Sequence, residues 1–233
     1  MGCWGFLEGA RGLAALGRGP RASSLLYRNF TQSSAQSVVR PTSLQALTPE
    51  SYREAQRDAL DYVKGGGLAE QVLLQLKQQN NPSTCFGMAI NLYEHGLQTA
   101  TRALRNGEDE EMVVMALLHD VCEHTVPSGH GPAASMILGP YLSEERKWIL
   151  ENHEVFQGFY YYHLAGRDPA TRDRHRENPF FDACARFCEL YDAPSFDPKY
   201  KTEALETFTP MVERFFSRMP RAQGDCVMMD TAE

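Results

Sequence analysis

The chain has 233 residues, with 23 basic and 30 acidic side chains and a formal net charge of −7. That length suits one domain plus a tail, and an apolar content of 42% is enough for a packed core, which excludes a fully disordered or fibrous chain. The acidic balance leaves no electrostatic footprint for nucleic acid, and no stretch approaches the roughly 18 unbroken apolar residues of a membrane span.

Residues 1–40 read differently from the rest. They carry Arg11, Arg18, Arg21, Arg28 and Arg40 against one acid, Glu8, among serines and glycines. An Arg- and Ser-rich, acid-poor leader has the composition of a mitochondrial transit peptide, so a disordered leader and a mitochondrial location are expected, with the cytoplasm as the alternative. The six cysteines contain no Cys-x-x-Cys pair. Neither a zinc ribbon nor a disulfide framework is expected.

Thr48-Pro49-Glu50 reads as an N-cap, a first-turn proline and an acid beside the helix dipole. The helix they start should stop at Gly65-Gly66-Gly67. A second helix is expected over 68–79, ended by Asn80-Asn81-Pro82, and a third over 84–105, ended by Asn106-Gly107. A fourth, after Asp109, carries the unbroken apolar run 112–118 and reads as buried on all sides. A short helix is expected from His130, and Ser143-Glu144-Glu145 starts one that reaches about 163. The Arg-, Asp- and Pro-rich stretch 166–179 reads as a loop. Helices resume over 180–191 and 202–218, the latter with a restart at Thr209-Pro210. Segments 31–47 and 219–233 read as unpacked. Strand-like alternation is scarce, so the expected fold class is all-α. The expected division is a leader (1–40), a helical extension (41–80), a main helical domain (81–218) and a tail (219–233).

The sharpest chemical signal is His119-Asp120, at the end of the apolar run. A carboxylate at the end of a buried helix is costly unless it is compensated, and a metal cation compensates it well. Adjacent helical residues point about 100° apart. His119 would therefore grip an ion that Asp120 reaches from the side, and the second oxygen of Asp120 would bridge to another ion. His95 lies in the preceding helix, His130 starts the short helix, His153 sits mid-way along the next, and Asp192 closes the helix over 180–191. Imidazole and carboxylate without thiolate suit iron, manganese or a similar divalent metal.

This order, His95, His119-Asp120, His130, His153, Asp192, resembles the signature of the HD-domain superfamily over about residues 84–200. The segment Glu94-His95-Gly96-Leu97-Gln98-Thr99-Ala100 is similar to the His-x-x-Gln-Thr-Ala stretch around the first ligand in the di-iron oxygenase branch, both in myo-inositol oxygenase and in phosphonate-cleaving enzymes. The resemblance implies one helical bundle. It implies one ion on His95, His119, Asp120 and Asp192, a second on Asp120, His130 and His153, and Gln98 and Thr99 orienting His95. It further implies two iron ions in a mixed-valent Fe(II)/Fe(III) state, with Mn or Mg as the alternative. The activity implied is a non-haem di-iron oxygenase that takes dioxygen and a small hydroxylated substrate, a phosphonate among the candidates. The alternatives are an HD-type phosphohydrolase and, third, a non-catalytic metal-stabilised module.

The chain departs from the phosphonate-cleaving pattern at two places. Those enzymes carry a histidine four residues after the His of His-Asp and a lysine one turn after the fourth ligand histidine. Here the residues are Glu123, followed by His124, and Gln157. Glu123, His124 and Gln157 are the candidate catalytic residues, to position substrate or relay a proton. Arg167, Arg172, Arg174 and Arg176 are candidate replacement cations for an anionic substrate.

Overall fold

The computed structural model describes residues 40–221. The leader and most of the tail expected from the sequence lie outside the described residues. Leu44–Ala46 form a short 3-10 turn. The described residues from Leu47 onward form one compact unit. Among the described residues every regular element is helical, and no helix is long and apolar enough to cross a membrane.

α1 (Pro49–Lys64) starts as its sequence directs. The Thr48 side chain accepts from the Ser51 N–H at 3.2 Å, and Pro49 occupies the first turn. It ends at Gly65, and Gly66, at φ +83°, turns the chain into α2 (Gly67–Gln78). Ala69, Val72, Leu73 and Leu76 of α2 pack into the same core as the later helices.

The third helix differs from expectation. α3 spans Leu92–Arg105 rather than starting near 84. Phe86 (φ 46°) and Gly87 (φ 85°) are both left-handed, which stops any helix across them. The start is fixed by a reciprocal cap: Asn91 Oδ1 accepts from the Glu94 N–H at 2.9 Å, and Glu94 accepts from the Asn91 N–H at 3.3 Å.

α4 (Glu110–Leu118) is capped by Asp109, whose carboxylate accepts from the Met112 N–H at 2.8 Å. Residues 112–118 are all buried, as the apolar run requires. Each buried Met, Val and Leu among them contributes roughly 1.5–3 kcal/mol relative to exposure, and α4 is the central rod. It packs against α3, α6 (Glu144–Tyr161) and α8 (Leu205–Phe216). Between α4 and α6 lies α5 (His130–Leu138), lying along α6.

Two later stretches also differ from expectation. Within 166–179, Pro169–His175 forms a 3-10 helix laid on α6. Arg172 stacks over Phe159 at 3.8 Å, and Arg167 stacks over Tyr162 at 3.9 Å. α8 runs unbroken through Pro210. The proline is the sixth of the twelve residues, inside the helix, where its missing N–H removes one bond without ending the element. Between these stretches, α7 (Phe181–Phe187) passes into a single π-helical turn, Cys188–Asp192. Such turns widen the helix and are frequent at functional sites.

Candidate metal centre

Six side chains from five elements meet at one buried point. His95 comes from α3, His119 and Asp120 from the end of α4, His130 from the first residue of α5, His153 from the middle of α6, and Asp192 from the π-helical turn. His95 Nε2 lies 3.2 Å from His119 Nε2, 3.2 Å from Asp120 Oδ2 and 3.3 Å from Asp192 Oδ1. His119 Nε2 lies 3.1 Å from Asp120 Oδ2 and 3.6 Å from Asp192 Oδ1. On the other side, Asp120 Oδ1 lies 3.1 Å from His130 Nε2 and 3.2 Å from His153 Nε2, and those two nitrogens are 3.1 Å apart. The six expected ligands are therefore brought together in two groups, joined by the two oxygens of Asp120.

Close approach of the helices depends on two glycines, each directly after a ligand histidine. A Cβ at Gly96 would sit 2.6 Å from the Leu117 carbonyl oxygen, and one at Gly131 would sit 2.5 Å from the Leu150 carbonyl oxygen. Only hydrogen fits in either place. The dipeptides His95-Gly96 and His130-Gly131 were thus a second signal in the sequence.

The outer nitrogens of three rings are held by main-chain carbonyls. His95 Nδ1 donates to Ser195 at 2.9 Å, His119 Nδ1 to Ala116 at 2.9 Å, and His153 Nδ1 to Leu150 at 2.8 Å. A carbonyl only accepts, so each of these Nδ1 atoms carries a proton and each Nε2 faces inward. In a neutral ring that Nε2 is a lone pair, and such lone pairs facing one another across 3.2 Å are stabilised by a cation or a proton between them.

The spacing fits one. Donors at right angles on an ion, each about 2.1 Å away, stand roughly 3.0 Å apart, close to the 3.1–3.3 Å found across most of the cluster. The orphaned atom agrees. Asp192 Oδ1 is buried and accepts no hydrogen bond, whereas its Oδ2 accepts from Gln157 Nε2 at 2.6 Å. These buried His and Asp groups could hold a metal ion.

The electrostatics without an ion tell the same story. Burial works against a charged His95 ring, but Asp120 and Asp192 outweigh it and raise the ring to about 9. His130 is likewise penalised by burial and raised by Asp120, again to about 9. Burial also opposes charge on His119, yet Asp120 and Asp192 hold its ring well above the usual value. Asp120 is penalised by burial but held well below the carboxylate range by His119 and its neighbours. Asp192 follows the same pattern through His119 and His95. The cluster demands positive charge, and in the absence of a metal it takes protons.

The three candidate catalytic residues separate. Glu123 lies beside the cluster, with a carboxylate oxygen within 4.8 Å of ligand atoms of Asp120 and His130. Burial, then the Asp120 charge, push its carboxyl up to about 7. Gln157 touches the cluster only by holding Asp192. His124 does not face it. Its Nδ1 lies 3.3 Å from Gln79 Nε2, and its Nε2 lies 3.2 Å from the Thr125 hydroxyl. The chain leaves the α-helix after Leu118, so helical phasing no longer brings residue 124 round to the site.

The expected orienting groups also need correcting. Thr99 Oγ1 donates to the His95 carbonyl, and Gln98 Nε2 donates to the Asp197 carbonyl at 2.8 Å. Neither touches the His95 ring, which is held by Ser195 and stacked on Phe196 at 4.2 Å. The candidate replacement cations are turned elsewhere. Arg167 and Arg172 stack on rings, Arg174 donates to His175, and Arg176 pairs with Asp173.

Three supporting residues escaped the sequence reading. Glu154 caps the start of α5, accepting from the Gly131 N–H at 2.8 Å and the Gly129 N–H at 3.1 Å, and its Oε2 lies 3.7 Å from His130 Nδ1. Gln79, wholly buried, donates to the Asp120 carbonyl at 2.7 Å. Ser195 acts through its main chain. Glu154 directly follows a ligand histidine, which is a weak signal; the other two leave none.

No protein-family model matches the chain, and no curated protein matches it significantly.

Proposed function

We propose that the chain is a metal-dependent enzyme of HD-domain type, a non-haem di-iron oxygenase acting on a small hydroxylated substrate. The observation that carries this reading is the convergence of four inward Nε2 atoms and two carboxylates, split into two groups by the bridging Asp120. A pair of redox-active ions would supply Lewis acidity toward a substrate hydroxyl and one-electron chemistry toward dioxygen.

The residues supply the rest. His95, His119 and Asp192 would hold the deep ion, His130 and His153 the shallow one, and Asp120 would hold both. Gln157 fixes Asp192 so that Oδ1 points inward. Phe196, stacked on His95, and Phe187, edge-on to His119 at 5.6 Å, exclude water from the deep side. Glu123 stands beside the shallow side, with a carboxylate oxygen within 4.8 Å of ligand atoms of Asp120 and His130, where it could position or take a proton from an incoming group.

Among the described residues no lysine or arginine pairs with the six ligands or with Glu123. Among the described residues, a phosphoryl or phosphonate dianion would find no lysine or arginine already paired into this cluster. This favours an uncharged hydroxylated substrate over a phosphonate, and oxygenation over phosphate ester hydrolysis.

The test is elemental analysis and EPR of anaerobically purified protein, followed by oxygen-uptake screening on polyols and hydroxyphosphonates. Two irons per chain, a mixed-valent signal on partial oxidation, and oxygen uptake are expected. Manganese- or magnesium-dependent phosphate release without oxygen uptake would replace this reading with the hydrolase.

A further inference from the structure

Glu123 has no place in the six-residue ligand set, yet it stands beside it. It follows Asp120 by three residues on the turn after α4, and its N–H donates to the Asp120 carbonyl at 3.0 Å. One of its carboxylate oxygens shares the 4.8 Å mutual spacing with ligand atoms of Asp120 and His130. The groups His95, His119, Asp192 and His119, Asp120, His153 meet that same spacing.

Two further observations bear on this carboxylate. First, it is half-buried, and among the described residues no lysine, arginine or hydrogen-bond donor pairs with it; the groups of positive charge nearby are the cluster histidines, His130 first. A hidden carboxylate without a partner is costly, and it favours any cation within reach. Second, the other carboxylate facing His130 is already engaged. Both oxygens of Glu154 accept main-chain N–H groups at the start of α5. Glu123 is left as the acid available to the shallow side, where His130, His153 and one oxygen of Asp120 are fewer donors than the deep side has.

Resting on the two-ion reading above, we propose that Glu123 is a seventh protein ligand, completing the coordination of the ion held by His130 and His153. A hard or borderline divalent ion in an imidazole–carboxylate site accepts such an oxygen readily. Three carboxylates would then face two dications. The shallow position would stay filled until an incoming ligand displaced Glu123, and that ligand would find the released carboxylate beside it as a proton acceptor.

The test uses the full chain, stripped of metal and titrated with Co(II) under visible absorption, then with azide. The unaltered chain takes two Co(II). In Glu123→Gln the first equivalent binds as before and the second binds at least about tenfold more weakly. Glu123→Asp keeps the charge but is one methylene shorter, and its second-ion affinity falls between the two. Azide binds the Co-loaded Gln variant more tightly than the unaltered chain, because no carboxylate has to leave. Second-ion and azide affinities within twofold of the unaltered chain, in both variants, overturn the Glu123 assignment and leave the two-ion reading standing. A chain that takes fewer than two Co(II) overturns both.

Discussion

The two halves of the cluster are built differently. His95, His119 and Asp192 are wholly buried, and they stand on α3, the end of α4 and the π-helical turn. Both of the deep rings are locked by carbonyls at 2.9 Å. His130, in the shallow half, is 5% exposed and sits on the first residue of a nine-residue helix. Its Nδ1 makes no hydrogen bond and faces Glu154 at 3.7 Å. Both rings of the first half are fixed by main chain, whereas in the second only His153 is, through the Leu150 carbonyl at 2.8 Å, and His130 faces a side chain. Ligand exchange belongs on the second half, since a site that must open cannot be fully locked.

Asp120 is the element the halves share, so its removal has the largest effect. In Asp120→Ala each group loses a donor, and the Nε2 pairs at 3.1–3.2 Å face one another with less negative charge to hold a cation. Both ions should be lost together, to below about a tenth of an equivalent each, because the loss reaches every ligand set at once. Elemental analysis after desalting checks this. Retention of one full equivalent would mean that the halves bind independently.

Without metal the contrast should vanish, and pH exposes this. His95 and His130, one in each half, are both raised from 6.5 to about 9. A histidine raised in the folded state contributes stability that is complete below its unfolded value and is lost as pH climbs through its folded value. Glu123 acts with the same sign in a lower window, since a carboxyl raised from 4.5 to about 7 costs stability as pH climbs between those values. Metal-stripped protein should therefore lose denaturant resistance between about pH 6.5 and 9. Loaded protein should not, because the ions require the deprotonated rings. Urea midpoints with and without chelator at the two pH values measure the difference. A stripped-protein midpoint that rises with pH would contradict the charge demand described above.

A paired substitution separates the halves again. Glu154→Gln weakens the cap on α5 and leaves α3 and α4 untouched. Gln157→Leu removes the bond to Asp192 Oδ2 and leaves α5 untouched. Groups that orient metal ligands are worth about 10- to 100-fold in affinity. The first variant should lose that factor for the shallow ion and the second for the deep ion, read as separate steps in a Co(II) titration. Equal loss of both ions in both variants would dissolve the distinction.

These contrasts also mark what the sequence could carry. The run 112–118 announces a buried helix, because seven apolar residues in succession leave no polar face. The six converging side chains are legible because histidine and aspartate are rare in such surroundings and fall in an order that resembles a known one. The start of α3 is not legible. Nothing in the residue type of Phe86 signals its left-handed backbone. Glu123 and His124 could not be told apart, because the turn after Leu118 resets the phase on which helical spacing relies. Ser195 is invisible for a deeper reason. It holds His95 with its carbonyl, which every residue possesses.

Gln98 provides the last and smallest test, and it bears on that invisibility. The sequence placed it one turn from His95 as an orienting group, whereas it clamps the main chain of Asp197, donating at 2.8 Å and accepting at 3.3 Å. Asp197 lies two residues beyond Ser195, so Gln98 reaches the deep half only through a short piece of backbone. The Ser195 segment is also held by the Asp192 carbonyl, which accepts from the Ser195 N–H at 2.9 Å. A hydrogen bond of this kind contributes about 0.5–1.5 kcal/mol, and only part of that can pass to the ring. Gln98→Leu should lower the urea midpoint slightly and weaken the deep ion by no more than a few-fold, with the shallow ion unchanged. A tenfold loss of the deep ion would show that the carbonyl of Ser195 depends on this clamp, and that the rigidity of the deep half rests on a side chain after all.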